Sequence, residues 1–214
     1  MTDNRSPITA LQPTVFIIDD DASVRTSLER LLRSAGFDVE TFASAELFLG
    51  REHYDGIGCI VLDVRMPGIS GIDLQDELSK ADYSMPIVFI TGHGNIPMGV
   101  QAMKKGAVNF LAKPFDDEEL LQAVREAIEK DTQARAEHAE VHDIRERLEL
   151  LTPRELEILR YVITGMLNKQ IAYELSIAEK TVKVHRGRIM EKLGVGSVAD
   201  LVRLAEKAGI EPPG

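Results

Sequence analysis

The first 130 residues alternate between short apolar runs and amphipathic stretches. The runs are Val15–Ile18, Val39–Phe42, Cys59–Leu62, Ile87–Ile90 and Val108–Leu111. They are rich in β-branched and aromatic residues and read as continuous rather than alternating, the pattern of parallel strands buried on both faces. Between the first two, Val24, Leu28, Leu31, Leu32 and Ala35 recur at helical spacing, with Asp21 placed to cap the start and Gly36 the end. Five such β–α units predict an α/β domain built on a doubly wound five-stranded parallel sheet, because parallel strands need right-handed helical crossovers.

The pattern changes after Glu129. Lys130 to Glu140 is rich in Ala, Glu and Arg, and Val141, Ile144, Leu148 and Leu151 then form a thin apolar stripe. This predicts a helical linker whose stripe either zips to a twin as a short coiled coil or docks on its own chain. Thr152-Pro153-Arg154-Glu155 is a capping box with Pro at the first helical position. Helices are expected over 153–164, 168–175, 179–193 and 197–208, punctuated by Gly165, Gly194 and Gly209. The expected organisation is an α/β domain over 14–129, a helical linker over 130–150 and a small all-α domain over 151–208.

Composition changes this picture in one respect. Apolar residues at 44% and charged residues at 28% are ordinary for a globular chain. A net charge of −10 argues against a surface basic all over. The charge is divided, however: residues 1–151 carry 27 acidic and 15 basic side chains, whereas 152–214 carry 8 and 10. The two ends therefore attract different partners. No apolar run approaches the ~18 residues of a membrane span, and Met1–Pro13 lacks the basic head and apolar core of a secretory leader. The single cysteine, Cys59, offers neither a disulfide nor a thiolate metal site and reads as a small buried hydrophobe. A cytoplasmic location without a membrane partner is expected.

Candidate chemistry gathers where strands end. Asp19-Asp20-Asp21 follows the first run, Asp63 the third, Thr91 the fourth and Lys113-Pro114 the fifth. In open α/β sheets the functional crevice lies beyond the carboxyl ends of the strands. Each residue alone is more simply a loop starter or a cap, and Asp21 is best read so. Together they place carboxylates, which suit Mg²⁺, opposite a hydroxyl and an ammonium, which suit a phosphoryl group.

Ile17-Ile18-Asp19-Asp20-Asp21, Leu62-Asp63-Val64-Arg65-Met66-Pro67-Gly68, Thr91-Gly92-His93-Gly94 and Phe110-Leu111-Ala112-Lys113-Pro114-Phe115 resemble the motifs of two-component receiver domains, which have a flavodoxin-like fold. The resemblance implies that Asp63 accepts a phosphoryl group from a sensor histidine kinase. It further implies that Asp19, Asp20, Asp63 and the backbone carbonyl of Arg65 hold Mg²⁺, and that Thr91, Lys113 and Phe110 form the switch. A cis Lys113–Pro114 peptide is also implied. Phe110 stands where many receivers carry Tyr, so it can rotate but cannot donate a hydrogen bond. His93, between two glycines, reads as a loop residue. Haloacid-dehalogenase-type phosphotransferases also use a strand-end Asp, but they need a second carboxylate two residues on, where this chain has Arg65. An enzyme is therefore not expected.

In the last 60 residues, Val182, His185, Ile189 and Leu193 line one helix face and are expected in the core, while Lys180, Lys183, Val184, Gly187 and Arg188 line the other. Basic groups attract phosphate, and a Val methyl can meet thymine in the major groove. Leu151-Thr152-Pro153-Arg154-Glu155, Asn168-Lys169-Gln170-Ile171-Ala172 and Lys180-Thr181-Val182-Lys183-Val184-His185 resemble the LuxR-type helix-turn-helix of the FixJ/NarL family. By that resemblance Lys183 and Val184 read bases of duplex promoter DNA, and Lys169, Lys180, Thr181, Arg186 and Arg188 contact the DNA around them. Ala178 stands where a capping Ser is usual and Ser176 where a turn Gly or Asn is common. The resemblance also implies a homodimer on phosphorylation, through Val100 and Lys104 in the receiver and Leu201 and Leu204 in the last helix, and contact with RNA polymerase. The expected function is phosphorylation-controlled transcription. The alternatives are a regulator that binds DNA without phosphorylation and a receiver acting through proteins only.

Overall fold

The computed structural model describes residues 12–80, 85–92 and 96–213. The chain divides into two compact units, one ending at Arg135 and the other beginning at Ala136.

In the first unit, strands β1 (Thr14–Ile18), β2 (Asp38–Phe42), β3 (Gly58–Asp63), β4 (Ile87–Thr91) and β5 (Asn109–Ala112) form a parallel sheet in the order β2-β1-β3-β4-β5. Helices α1 (Ala22–Ser34), α2 (Ala45–Leu49), α3 (Gly71–Leu78), α4 (Ile96–Lys104) and α5 (Asp117–Glu149) connect and follow the strands. Two apolar clusters pack on the sheet. One joins Val15, Ile17, Val61 and Val88 to Leu28, Leu32, Leu120 and Val124, and the other joins Phe16, Ile60, Leu62 and Phe89 to Phe48, Leu74 and Ala102. The alternation of partners along each strand shows that both faces are covered, as all-parallel sheets require.

The strand expectations hold to within a residue, with one correction. β2 is an edge strand, and Asp38, Glu40 and Thr41 are exposed while Val39 is buried. Glu40 and Thr41 interrupt the apolar run because an edge strand needs fewer buried positions. Asp21 caps α1 as expected, its carboxylate accepting from Ser23 N at 2.7 Å and Val24 N at 3.4 Å. Cys59 is completely buried.

No stop separates the first unit's last helix from the expected linker. Residues 117 to 149 contain neither Pro nor Gly, and α5 runs through them unbroken. Its root is fixed within the first unit. Asp131 is fully buried, accepts from Gly58 N at 3.0 Å and pairs with Arg135 Nε at 2.8 Å, while Arg135 Nη1 reaches Asp55 O at 2.8 Å.

The second unit holds the end of α5 and helices α6 (Pro153–Val162), α7 (Asn168–Glu174), α8 (Glu179–Leu193) and α9 (Val198–Lys207). Ile144 is buried in its core with Ile158, Leu159, Ile171, Val182, Ile189, Leu193 and Leu201, and Leu148 and Leu151 pack beside them. The stripe of the linker thus docks on its own chain. The capping box forms: Glu155 N donates to Thr152 Oγ1 at 3.3 Å and Thr152 N to Glu155 Oε2 at 2.9 Å. Lys192 of α8 reaches the same carboxylate at 2.7 Å and Leu150 O at 3.0 Å, so the cap also ties the start of α6 to the end of α8.

Candidate phosphorylation site and nucleic-acid interface

Parallel register brings the carboxyl ends of β1, β3, β4 and β5 to one edge of the sheet. Ile18 pairs with Leu62, Asp63 with Ile90 and Thr91 with Ala112. The strand order reverses direction between β1 and β3, the switch point where a crevice opens. Asp19, Asp63 and Thr91 are buried there. Lys113 Nζ lies 2.7 Å from Asp19 Oδ2 and 2.9 Å from Asp63 Oδ1, joining residues 94 and 50 positions apart.

Asp19 is held on every side. Its N donates to Phe42 O at 3.2 Å, and its Oδ1 accepts from Asp21 N at 2.8 Å. Its carbonyl accepts from Arg25 Nη1 at 2.6 Å. The second oxygen of Asp63 accepts from Arg65 N at 2.7 Å. Behind it, Gly71 opens α3 so close that a Cβ there would sit 2.3 Å from Asp63 O. Only a glycine lets the helix approach the loop at this point.

Burial raises the pKa of Asp63 above the ordinary carboxylate value, and the hydrogen bond and charge of Lys113 work against that rise. Burial also disfavours the Lys113 ammonium, but Asp19 and Asp63 more than offset this and its pKa is raised. The crevice thus holds two buried carboxylates and the cation that compensates them.

The structure therefore gathers Asp19, Asp63, Thr91 and Lys113. Asp20 follows Asp19 with its side chain exposed, and Arg65 is exposed. Among the described residues no three His, Cys, Asp or Glu side chains stand close enough together to hold a metal ion. The donor set nevertheless fits Mg²⁺: two hard carboxylates already converge on one cation, and Asp20 adjoins them. Phe110 is half-buried, 6.2 Å from the Phe89 ring, and faces Gly99 of α4, where a Cβ would lie 3.3 Å from its ring. Lys113–Pro114 is cis. Val100 and Lys104 are both exposed on α4. His93 lies outside the described residues.

In the second unit Lys169, Lys180, Thr181, Lys183, Val184 and Arg188 are exposed, with Val184 at 46%. Arg186 is half-buried and donates to Asn168 Oδ1 at 2.7 Å, bracing α8 against α7. Leu167, Asn168, Lys169, Glu179 and Arg186 line an open cleft of about 500 Å³. Two expectations need correction. Leu201 and Leu204 are 1% and 7% exposed and belong to the bundle core, because the apolar face of α9 turns inward; neither is free to meet a second copy. His185 is half-buried rather than in the core, and its buried Nδ1 has no hydrogen-bond partner among the described residues.

Sequence reasoning missed Arg25 and the Asp131–Arg135 pair. An Arg on an amphipathic helix reads as solvated, and no local pattern announces a contact with residues 73 and 80 positions away.

The fold and the acidic crevice define a receiver, and the helical unit with its exposed basic helix defines a helix-turn-helix module. Residues 15–125 match the model of the response regulator receiver domain, and residues 149–205 that of the luxR family of bacterial regulatory proteins. The chain belongs to the two-component response regulators of the FixJ/NarL type. It is 50% identical over 196 residues to nodulation protein W of Bradyrhizobium diazoefficiens, covering 92% of this chain and 86% of the relative. It is 48% identical over 193 residues to the response regulator TodT of Pseudomonas putida, covering 90% and 85%. The solved structure of the response regulator StyR superposes with a TM-score of 0.81 at 52% identity, covering 92% and 99%. Full-length FixJ from B. japonicum gives a TM-score of 0.55 at 42% identity, covering 92% and 98%. The chain is a phosphorylation-driven transcriptional regulator, with a histidine kinase upstream and DNA downstream. Its family consists of signal-transduction regulators rather than enzymes. Among the described residues no helix is long and apolar enough to cross a membrane.

Proposed function

We propose that Asp63 is the phosphoacceptor. One observation carries this reading: the Lys113 ammonium stands between Asp63 and Asp19, at 2.9 and 2.7 Å, where an incoming phosphoryl group needs a cation. An oxygen of Asp63 attacks the phosphorus of a phosphohistidine. The new P–O bond forms as the P–N bond breaks, and the imidazole nitrogen leaves with its electron pair. Receivers use Mg²⁺ for this transfer, and here the carboxylates of Asp19, Asp20 and Asp63 with the Arg65 carbonyl would hold an ion that screens phosphate from carboxylate. Lys113 turns from Asp19 to the new phosphate and the Thr91 hydroxyl donates to it. Phe110, packed against α4, transmits the change. Moving such a switch from 1:99 to 99:1 needs about 5.5 kcal/mol of differential interaction.

The receiver spans residues 14–129, the linker 130–150 and the DNA-binding domain 151–208. The phosphorylated chain pairs through α4, whose Val100 and Met103 are 47% and 45% exposed beside Lys104. Lys183 and Val184 read bases, and Lys169, Lys180, Thr181, Arg186 and Arg188 meet the surrounding DNA. The bound dimer contacts RNA polymerase at the promoter.

The test combines acetyl phosphate with Mg²⁺, intact mass and DNA binding. Wild type gains one phosphoryl mass and binds its operator more tightly, and Asp63→Asn does neither. A phosphoryl gain on Asp63→Asn, or wild-type binding that ignores the donor, overturns the assignment.

A further inference from the structure

Gly187 occupies the middle of α8, an element of 15 residues. Glycine is among the least favourable residues in a helix interior, and alanine the most favourable. A packed glycine would have a steric reason, yet at Gly187 a Cβ would meet nothing within 4 Å among the described residues. Nor is there a conformational reason, since Gly187 lies within regular helix and is absent from the left-handed residues. Nothing among the described residues requires a missing side chain here.

The surroundings say what does. Lys180, Val184, Gly187 and Glu191 follow one line along the exposed face, with Lys183 and Arg188 beside it. Val184 leaves nearly half its surface in water. The line is therefore a narrow apolar strip, Val184 to Gly187, between cations, and it ends at the acidic Glu191, which a phosphate would repel. That combination matches the major groove, where apolar contact meets the base edges and cations meet the flanking phosphates. Other departures from local preference occur nearby: Leu167 and Ala178 stand at N-caps without a side-chain cap bond, and Ser176 has φ +51°. Such local costs are expected to collect where function overrides stability.

We infer that Gly187 is the point of closest approach between α8 and the bases, where the missing side chain lets the helix backbone itself lie against the groove. This rests on the DNA-binding reading and adds to it a residue that acts by having no side chain. The contact is a steric one, so removing charge elsewhere does not reproduce it.

The test uses the full chain, phosphorylated with acetyl phosphate, and a duplex selected by the wild type from a random pool. Gly187→Ala and Gly187→Ser are compared by thermal unfolding without DNA and by fluorescence anisotropy with it. Gly187→Ala is expected to raise the Tm of the C-terminal unit by about 4 °C or more and to weaken binding about 10-fold or more; Gly187→Ser also weakens binding. A lower Tm for Gly187→Ala overturns the premise that the fold does not need this glycine. Binding within about 3-fold of wild type for both variants overturns the inference alone. Failure of the wild type to retain any duplex overturns the DNA-binding reading and this inference with it.

Discussion

Replacing Lys192 by Met tests how the C-terminal unit is held together. Glu155 has a side chain only 3% exposed, whereas Lys192 keeps 33% of its own in contact with water. The carboxyl pKa falls from 4.5 to about 2, through the Lys192 hydrogen bond first and then those from Thr152. At 1.36 kcal/mol per unit, a fall from 4.5 to about 2 corresponds to roughly 3.4 kcal/mol in all. Thr152 N and Oγ1 remain in the variant at 2.9 and 3.0 Å, and solvent screens the partly exposed ammonium. The share of Lys192 is therefore about 1–2 kcal/mol. Its bond to Leu150 O adds about 0.5–1 kcal/mol. A loss of about 2 kcal/mol lowers the Tm of a unit this size by roughly 10 °C. Scanning calorimetry of the full chain should show that shift in one transition and leave the receiver's unchanged. The sign with pH follows from the lowered pKa. The folded carboxyl binds its proton less readily than the unfolded one, so the contribution is complete above pH 4.5 and disappears as pH falls toward 2. Thr152 still lowers the carboxyl pKa in the variant, so the gap between wild type and Lys192→Met must narrow as pH falls from about 3.5 toward 2. A gap that stays constant, or one below about 2 °C at pH 7, would refute the reasoning.

Other outcomes follow from the same structure. Asp131→Ala strands the Gly58 amide and takes from Arg135 its buried partner, and should destabilise the receiver by about 3 kcal/mol in urea unfolding; a loss under ~1 kcal/mol would mean that water replaces the carboxylate. Ser176→Gly removes a left-handed non-glycine residue and should stabilise the C-terminal unit by about 1 kcal/mol, read as a raised Tm. Lys183→Ala should cost about 1–3 kcal/mol on the selected duplex and less on random sequence, whereas equal losses on both would make it a phosphate contact.

Much of the site is legible in the sequence because parallel strands number their own ends. An apolar run that stops at Asp63 or Thr91 also names the crevice-side residue, and five such runs name the whole edge. Helix ends are equally explicit at Asp21 and Thr152, where a short side chain caps the turn that follows it. Legibility fails where the fold, not a local motif, chooses a cation's partner. Arg25, Arg135 and Lys192 look alike as cations on helices, yet one holds the Asp19 carbonyl, one anchors the root of α5 and one clamps a cap. Burial of an amphipathic face is predictable, but what it faces is not. That is why the apolar character of Leu201 and Leu204 is legible while their partner, their own core rather than a second copy, is not.

Cys59 lies in the first half of β3, wholly enclosed, with a thiol whose pKa burial raises well above the ordinary value. It is the chain's single cysteine. In the folded protein it is protonated and unreachable, so a maleimide should find nothing to react with until the sheet opens. The rate of labelling then reports the free energy of receiver opening directly. The same silence lets a cysteine introduced on any surface carry a probe without first removing a native thiol.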